Sequence, residues 1–376
     1  MWITREHSNC LQEMEGLADT LQKSDRILAD SLRGGFHVRM ATLAAIASQA
    51  GVSEATVSRV LNGKPGVSDA ARQAVLTALD VLGYERPSRL RRRSAGLVGL
   101  VVPELENPIF PAFAQVVDDV LASRRYTPVL CTQSPGGISE DEYVEALLDH
   151  GVAGIVFVSG RHADTRADHG RYRTLIERGM PVVFVNGFAP DLEAPFLSTD
   201  DHEAMTLAVR HLVQLGHRRI GLAIGPRRFV PAFRKRDGFV LALQRHLGLS
   251  TDEAEGWVSE SLFTVEGGAA AARRLIDMDA TAIVCGSDLM AMGAIRSIRE
   301  VGRAVPEDCS IIGFDDSRLI QFLDPPLTTI RQPVQAIGAA AVSALIDAIE
   351  GAPIPSHEYL YQPELVLRAS TARAPD

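Results

Sequence analysis

The sequence predicts an α/β protein in which a three-helix amino-terminal domain precedes a two-lobed body of doubly wound parallel sheets. Two short helical patterns joined at Gly51 predict the first domain. After residue 96, apolar strands alternate with amphipathic helices in two successive series, which predicts two parallel sheets covered by helices. The chain of 376 residues is long enough for both parts.

Composition and charge restrict the class of protein. A hydrophobic fraction of 46% with 23% charged residues is typical of a globular chain. No apolar run reaches the length of about 18 residues that predicts a membrane span. The net charge is −9, yet residues 40–95 carry eight Lys or Arg against four Asp or Glu, which indicates a module that meets a polyanion. Four separated cysteines and no secretory signal predict a cytoplasmic protein without membrane contact.

Residues 42–61 predict a helix-turn-helix. Thr42 suits the start of a short helix, and Gly51 suits its left-handed end. Ser53 then begins a second helix over about 54–61 that exposes small polar residues on one face. In a DNA-binding domain of this kind the second helix enters the major groove.

A third helix is predicted from the Ser68 cap through Leu82. Its buried face comprises Ala71, Val75, Leu79 and Leu82. The alternative is a tight helical pair within a larger all-α domain. The local basic surplus favours DNA binding.

A motif in this region resembles the signature of the LacI/GalR family of bacterial transcription regulators. It reads Ala-Gly-Val-Ser-x-x-Thr-Val-Ser-Arg-Val-Leu-Asn-Gly at 50–63, with Val67-Ser68 and Gly83-Tyr84 downstream. The resemblance extends from Met40 to about Ser370. It implies a DNA-binding domain over 40–84, a basic hinge over 85–96 and an effector-binding and dimerisation body over 97–376. Residues 1–39 form an extension of unknown role, either a tail or the result of a start assigned too far upstream.

The resemblance also implies how the second helix meets DNA. Glu54 and Ala55 occupy base-selecting positions, and Arg59 matches a third position, where a guanidinium can donate two hydrogen bonds to guanine. Seven residues are expected to contact the DNA backbone: Thr42, Ser53, Thr56, Ser58, Asn62, Ser68 and Arg72. For the hydroxyl residues at helix starts, capping is the alternative role.

The hinge departs from the family pattern because it is short and rich in arginine. Leu90 is its only candidate for a minor-groove wedge. Arginines within it can contact phosphates or a narrowed minor groove, and a solvated basic linker is the alternative. These hinge candidates are Arg89, Leu90, Arg91, Arg92 and Arg93.

The body resembles the periplasmic sugar-binding proteins, with which the family shares its two lobes. Lobe 1 is expected to comprise about 97–196 plus 331–350, and lobe 2 about 197–330 plus the carboxy-terminal strands. Strands are predicted at 97–102, 127–131, 153–158, 182–185, 220–224, 282–285 and 310–313. A ligand would lie beyond their carboxyl ends, in the cleft between the lobes.

Candidate effector residues follow these strands or begin a helix of the second lobe. They are Glu104, Asn107, Phe110, Asn186, Phe188, Arg234, Lys235, Phe263, Asp288 and Asp316. Their carboxylates, amides, cations and rings suit the hydroxyls and apolar faces of a sugar. The resemblance places Lys235 and Asp288 where an arginine and an aspartate hold the effector. Asp315 and Asp316 both follow a strand, and a turn or cap is the alternative role for Asp316.

These features predict an effector-controlled repressor that binds double-stranded operator DNA as a homodimer, with a tetramer as the alternative. Stretches at 91–100, 104–111 and 225–235 are similar to maltose-regulon repressors, which implies maltose or a maltooligosaccharide as the effector that releases the operator. No catalytic, metal or nucleotide motif is recognised, so we expect neither an enzyme nor a bound cofactor. The alternatives are a cytoplasmic sugar-binding protein, a regulator with another ligand or with co-repression, and an enzyme on an α/β body.

Overall fold

The computed structural model describes residues 42–62, 64–82, 94–133, 137–353 and 355–375. The chain divides into two compact units between residues 93 and 94. The predicted hinge residues Arg89, Leu90, Arg91, Arg92 and Arg93 and the extension 1–39 lie outside the described residues. In the part of the chain that is described, no helix has both the length and the apolar character needed to cross a bilayer.

Within residues 42–62 and 64–82, the first unit forms three helices, as the sequence predicts: α1 (Leu43–Ala50), α2 (Glu54–Leu61) and α3 (Asp69–Val81). Their small core contains Ile46, Val57, Val60, Val75 and Leu79. Between α1 and α2, Gly51 has a φ of 64°, which ends the first helix in the left-handed region.

The predicted buried face of α3 is buried only in part. Val75 and Leu79 are buried, Ala71 is half-buried, and Leu82, just past the end of the helix, is 37% exposed.

Lobe 1 contains a six-stranded, all-parallel sheet in the order β11-β5-β4-β3-β1-β2. Its strands are β1 (Gly96–Val102), β2 (Tyr126–Thr132), β3 (Gly154–Val158), β4 (Val182–Val185), β5 (Phe196–Thr199) and β11 (Glu358–Tyr361). Its helices are α4 (Ile109–Ser123), α5 (Glu140–Asp149), α6 (Gly170–Glu177) and α12 (Val334–Ile349). The central strands are buried apolar runs, which is typical of a parallel sheet covered on both faces.

Lobe 2 contains a second six-stranded sheet in the order β12-β10-β9-β8-β6-β7, in which only β12 is antiparallel. Its strands are β6 (Ile220–Ile224), β7 (Val258–Glu260), β8 (Ala282–Cys285), β9 (Ser310–Asp315), β10 (Thr328–Arg331) and β12 (Glu364–Val366). Its helices are α7 (Asp201–Gln214), α8 (Val230–Leu247), α9 (Thr251–Gly256), α10 (Val265–Asp277) and α11 (Asp288–Glu300).

The chain crosses between the lobes three times: after β5, after β10, and between β11 and β12. The prediction that both carboxy-terminal strands belong to lobe 2 is therefore wrong, because β11 pairs with β5 of lobe 1. Short, half-exposed edge strands such as β11 lack the continuous apolar run that identifies buried strands. All three crossings lie at the β5–β11 and β10–β12 edges of the sheets. These crossover segments form the hinge between the lobes, which is distinct from the basic linker 85–96 and lies on one side of the body.

Candidate DNA-binding helix and inter-lobe cavity

The second helix of the first unit presents its predicted base-contacting residues to solvent. Glu54, Ala55 and Arg59 are exposed, whereas Val57 and Val60 on the opposite face are fully buried. Among the described residues, the side chains of Glu54 and Arg59 have no hydrogen-bond or ion-pair partner. The apolar face therefore holds α2 in place while Arg59 is available to a ligand.

Several of the predicted backbone-contacting residues cap helices. The hydroxyl oxygens of Thr42, Ser53 and Ser68 accept hydrogen bonds from backbone N–H groups of the first turns of α1, α2 and α3. Ser53 also lies 2.9 Å from the Thr56 hydroxyl, and the Asn62 amide donates to the Ser58 carbonyl at 2.9 Å. A hydroxyl that accepts a capping bond still has its own hydrogen to donate, so capping and phosphate contact are compatible. DNA contact by these residues and by Arg72 stays a prediction.

A cavity of about 220 Å³ lies between the two lobes of the second unit. Residues at the carboxyl ends of strands in both sheets form its wall, as expected for a ligand site on open parallel sheets. Six of the predicted effector residues line it: Glu104, Asn107, Phe110, Asn186, Lys235 and Phe263.

Three of the six non-glycine residues with positive φ in the described part of the chain line this cavity. Ser159, Asn186 and Asp315 each follow or end a strand, line the cavity and have positive φ angles of 47°, 56° and 118°. Non-glycine residues rarely adopt such angles, and strained backbone of this kind occurs preferentially at functional sites.

Four of the predicted effector residues do not line the cavity, and each has another partner. Phe188 packs edge-on against Phe196 in the core of lobe 1. The Arg234 guanidinium donates to both carboxylate oxygens of Glu358 at 2.6 and 2.8 Å. The remaining two are acidic residues of lobe 2.

Asp288 is 1% exposed and forms the first residue of α11. Its carboxylate accepts hydrogen bonds from the Thr329 hydroxyl and the Ser317 N–H, both at 2.7 Å. Burial raises the pKa of this carboxyl to about 6, and the two hydrogen bonds oppose the shift. Asp316 instead pairs with Arg331 and Arg368. Both carboxylates thus have partners within lobe 2, and neither lines the cavity. Effector contact by Asp288 and Asp316 stays a prediction.

Asp315 lines the cavity, whereas its predicted neighbour Asp316 does not. One of its carboxylate oxygens accepts from the Gln332 amide at 2.7 Å, while its Oδ2 is buried and has no partner among the described residues. Burial and the adjacent Asp288 carboxylate raise the pKa of Asp315 well above its usual range. The unpaired oxygen thus belongs to a residue that lines the cavity.

Gln332 connects Asp315 to lobe 1. Its carbonyl oxygen accepts from the Thr199 hydroxyl at 2.9 Å and from the Asn186 amide at 3.4 Å. Because Gln332 lies directly after β10, where the chain crosses to lobe 1, this network joins the hinge to the cavity wall. Gln332 was not predicted as a site residue, because no sequence motif identifies a glutamine at a crossover between lobes.

Lys235 forms a buried ion pair beside the cavity. Its Nζ lies 2.6 Å from the Asp201 carboxylate and 3.9 Å from the centre of the Phe314 ring. Both members of the pair line the cavity. Asp201 was not predicted as a site residue. It lies just after β5, and the short β5 was not among the predicted strands.

Aromatic rings cover much of the wall: Phe110, Phe229, Phe263 and Phe314. The Phe263 ring can approach because residue 225 is glycine, where a Cβ would lie 2.1 Å from a ring carbon. Rings beside amides and carboxylates suit a ligand with apolar faces and hydroxyl edges.

A buried network supports the segment 159–163 of the wall. The Tyr172 hydroxyl donates to Glu140, and the Arg161 N–H donates to the same carboxylate at 3.1 Å. His162 is fully buried and its Nε2–H donates to the Val185 carbonyl at 3.3 Å, while its Nδ1 has no partner among the described residues. Burial lowers the pKa of His162 to about 3.

Because His162 is buried in its neutral form, the stability of the body is expected to fall in acid. Between pH 6.5 and 3 the unfolded chain binds a proton at residue 162 that the folded chain excludes, so stability falls as the pH falls. At pH 5 the loss is roughly 2 kcal/mol relative to pH 7.5. Urea unfolding at both pH values should show that the His162→Gln variant loses less stability than the wild type by about this amount. Equal losses in the two proteins would contradict a neutral buried His162.

Comparisons with known proteins agree with this architecture. Residues 42–87 match the model of the bacterial regulatory proteins of the lacI family, and residues 209–371 match that of a periplasmic binding protein-like domain. The HTH-type transcriptional regulator reg1 of Streptomyces lividans is 63% identical over 336 residues, 89% of this chain and 97% of its own. The HTH-type transcriptional regulator MalR of Streptomyces coelicolor is 62% identical over 334 residues, with coverages of 89% and 97%.

Solved structures show the same fold. A complex of the transcriptional regulator CelR with cellobiose has a TM-score of 0.65 at 32% identity, over 88% of this chain and 99% of that one. A lac repressor dimer bound to operator and the anti-inducer ONPF has a TM-score of 0.64 at 26% identity, over 87% and 98%. The predicted α/β fold with an amino-terminal helix-turn-helix is confirmed.

Proposed function

The chain belongs to the LacI family of bacterial transcription regulators, and from this premise we propose that it is an operator-binding repressor released by maltose or a maltooligosaccharide. One observation carries the proposal: a single chain combines an exposed recognition helix with a polar and aromatic cavity between two lobes. The function requires no catalytic group, and it places the chain in the cytoplasm with the DNA.

The chemistry of the cavity supports a sugar effector. The unpaired Asp315 Oδ2 needs a hydrogen-bond donor, which a sugar hydroxyl supplies. The amides of Asn107 and Asn186 and the Lys235 ammonium offer donors for other hydroxyls, and the phenylalanine rings cover apolar faces of the sugar. The choice of maltose follows the resemblance to maltose-regulon repressors, and the cellobiose bound to CelR supports an effector of disaccharide size.

An exposed apolar surface on lobe 2 supports a homodimer. Leu319 and Phe322 are 71% and 78% exposed. A nearby groove that includes Leu323 is lined by three apolar and four charged residues: Met292, Ile295, Leu323, Arg296, Arg299, Glu300 and Asp324. Large exposed apolar groups of this kind mark protein interfaces. A twofold dimer would bury the same surface on each subunit and present two copies of α2 to half-sites about one DNA turn apart.

DNA protection with and without sugars tests the proposal. The full chain should protect two half-sites upstream of its own gene or a neighbouring gene, and maltose or maltotriose should abolish the protection. Asp315→Asn should keep the protection and require at least 10-fold more maltose, because the amide NH2 that replaces the unpaired oxygen cannot accept a hydrogen bond from a sugar hydroxyl. Asp316→Asn is the matched control, since this neighbour lies outside the cavity wall.

Each part of the proposal has its own contrary result. Protection that no sugar changes would refute the carbohydrate effector and leave DNA binding intact. Stronger protection in the presence of a sugar would indicate co-repression. A chain that protects no DNA sequence would refute the repressor assignment.

A further inference from the structure

Two loops meet across the inter-lobe cleft, at a distance from the hinge. Asp164 and Thr165 follow β3 in lobe 1, and Arg228 and Phe229 follow β6 in lobe 2. In the sheets, β3 is two strands from β5 and β6 is three strands from β10. At about 4.8 Å per strand, the loops lie on the order of 10–14 Å from the crossovers, so a rotation about the hinge separates them.

The contacts between these loops are specific. Asp164 and Phe229 form an antiparallel β-bridge. The Thr165 N–H and the Thr165 hydroxyl both donate to the Arg228 carbonyl at 2.8 Å. The Arg228 Nε lies 3.3 Å from the Asp164 carboxylate, and its guanidinium lies 4.9 Å from the centre of the Phe229 ring.

The same residues adjoin the cavity. Phe229 lines it from lobe 2, and Ala163, directly before Asp164, lines it from lobe 1. The contacts between the two loops therefore join the lobes beside the cavity, and they form without a ligand.

We propose that Asp164, Thr165, Arg228 and Phe229 form a latch that holds the lobes closed before a ligand binds and must open for ligand to enter or leave. This inference rests on the proposed function only in taking the cavity as the effector site. Because the latch stabilises the closed free form and the closed bound form alike, it slows association and dissociation together and leaves the dissociation constant nearly unchanged.

Two adjacent arginines allow a matched test. Arg228→Ala removes the ion pair across the cleft but keeps the backbone carbonyl that Thr165 uses. Arg227 is exposed to a similar extent, and its carboxylate partners Glu255 and Glu260 both lie in lobe 2. Arg227→Ala therefore removes an arginine and an ion pair of the same kind without touching the latch.

Hydrogen exchange in the ligand-free protein measures the latch directly. The Thr165 amide should be protected in the wild type and in Arg227→Ala, and it should exchange about 2–5-fold faster in Arg228→Ala, the range expected for one half-exposed ion pair. An unprotected Thr165 amide in the ligand-free wild type, or the same rate in both variants, would overturn the proposal. This measurement is independent of the effector's identity.

The kinetics of maltose binding provide the second readout. In Arg228→Ala both rate constants should rise about 2–5-fold with the dissociation constant nearly unchanged. A rise in the dissociation rate alone would show that the latch acts only after binding, which would overturn its role in the free protein. If maltose does not bind, the proposed effector fails, and the exchange experiment still decides on the latch.

Discussion

Replacing Arg59 by alanine is expected to reduce strongly the preference of the proposed dimer for its operator over unrelated DNA. Arg59 is exposed on α2 with no side-chain partner among the described residues, so its guanidinium is available to a base edge. One bidentate contact to guanine contributes about 1–3 kcal/mol of discrimination, and a dimer makes the contact twice. The difference in binding free energy between operator and unrelated DNA should therefore fall by roughly 2–6 kcal/mol. Fluorescence-anisotropy titrations with both DNAs measure this difference.

Arg72→Ala provides the contrast for this experiment. If Arg72 contacts a phosphate, its loss should weaken binding to all sequences about equally and reduce the slope of log affinity against log salt by about one unit per contact. Equal effects of Arg59→Ala on operator and unrelated DNA would show that Arg59 positions the domain and does not read the sequence.

The second large effect is expected at the buried ion pair beside the cavity. Lys235→Met leaves the Asp201 carboxylate buried without its cation, and removal of one partner of a buried pair typically costs about 3–5 kcal/mol. Urea unfolding at pH 7.5 should show a loss of this size. Maltose binding should weaken as well, because both side chains line the cavity.

Two controls identify the cause of the loss. Arg236→Met removes the next cation on α8, whose pairs with Asp237 and Glu255 are partly exposed, and should cost no more than about 1 kcal/mol. Adding Asp201→Ala to Lys235→Met should restore part of the stability, because no unpaired charge then remains. A double variant no more stable than Lys235→Met would show that lost packing, and not the unpaired carboxylate, is the cause.

The candidate site was predictable where a residue type coincided with a clear element boundary. Glu104, Asn107 and Asn186 follow apolar strands that are recognisable from their composition, and they line the cavity. Asp201 and Gln332 were missed because they follow β5 and β10, short strands whose apolar pattern is too brief to recognise.

Local sequence by itself determined the helix-turn-helix, the buried strands and the edge of each sheet at which a ligand would bind. Caps, glycine turns and apolar periodicity act over a few residues, so they can be recognised without the fold. Only the tertiary structure decided that Asp315 and not Asp316 or Asp288 lines the cavity, that Arg234 pairs with Glu358 of the other lobe, and that β11 joins lobe 1. Those outcomes depend on which distant groups meet when the chain folds, and residues so far apart in the sequence do not affect each other's local pattern.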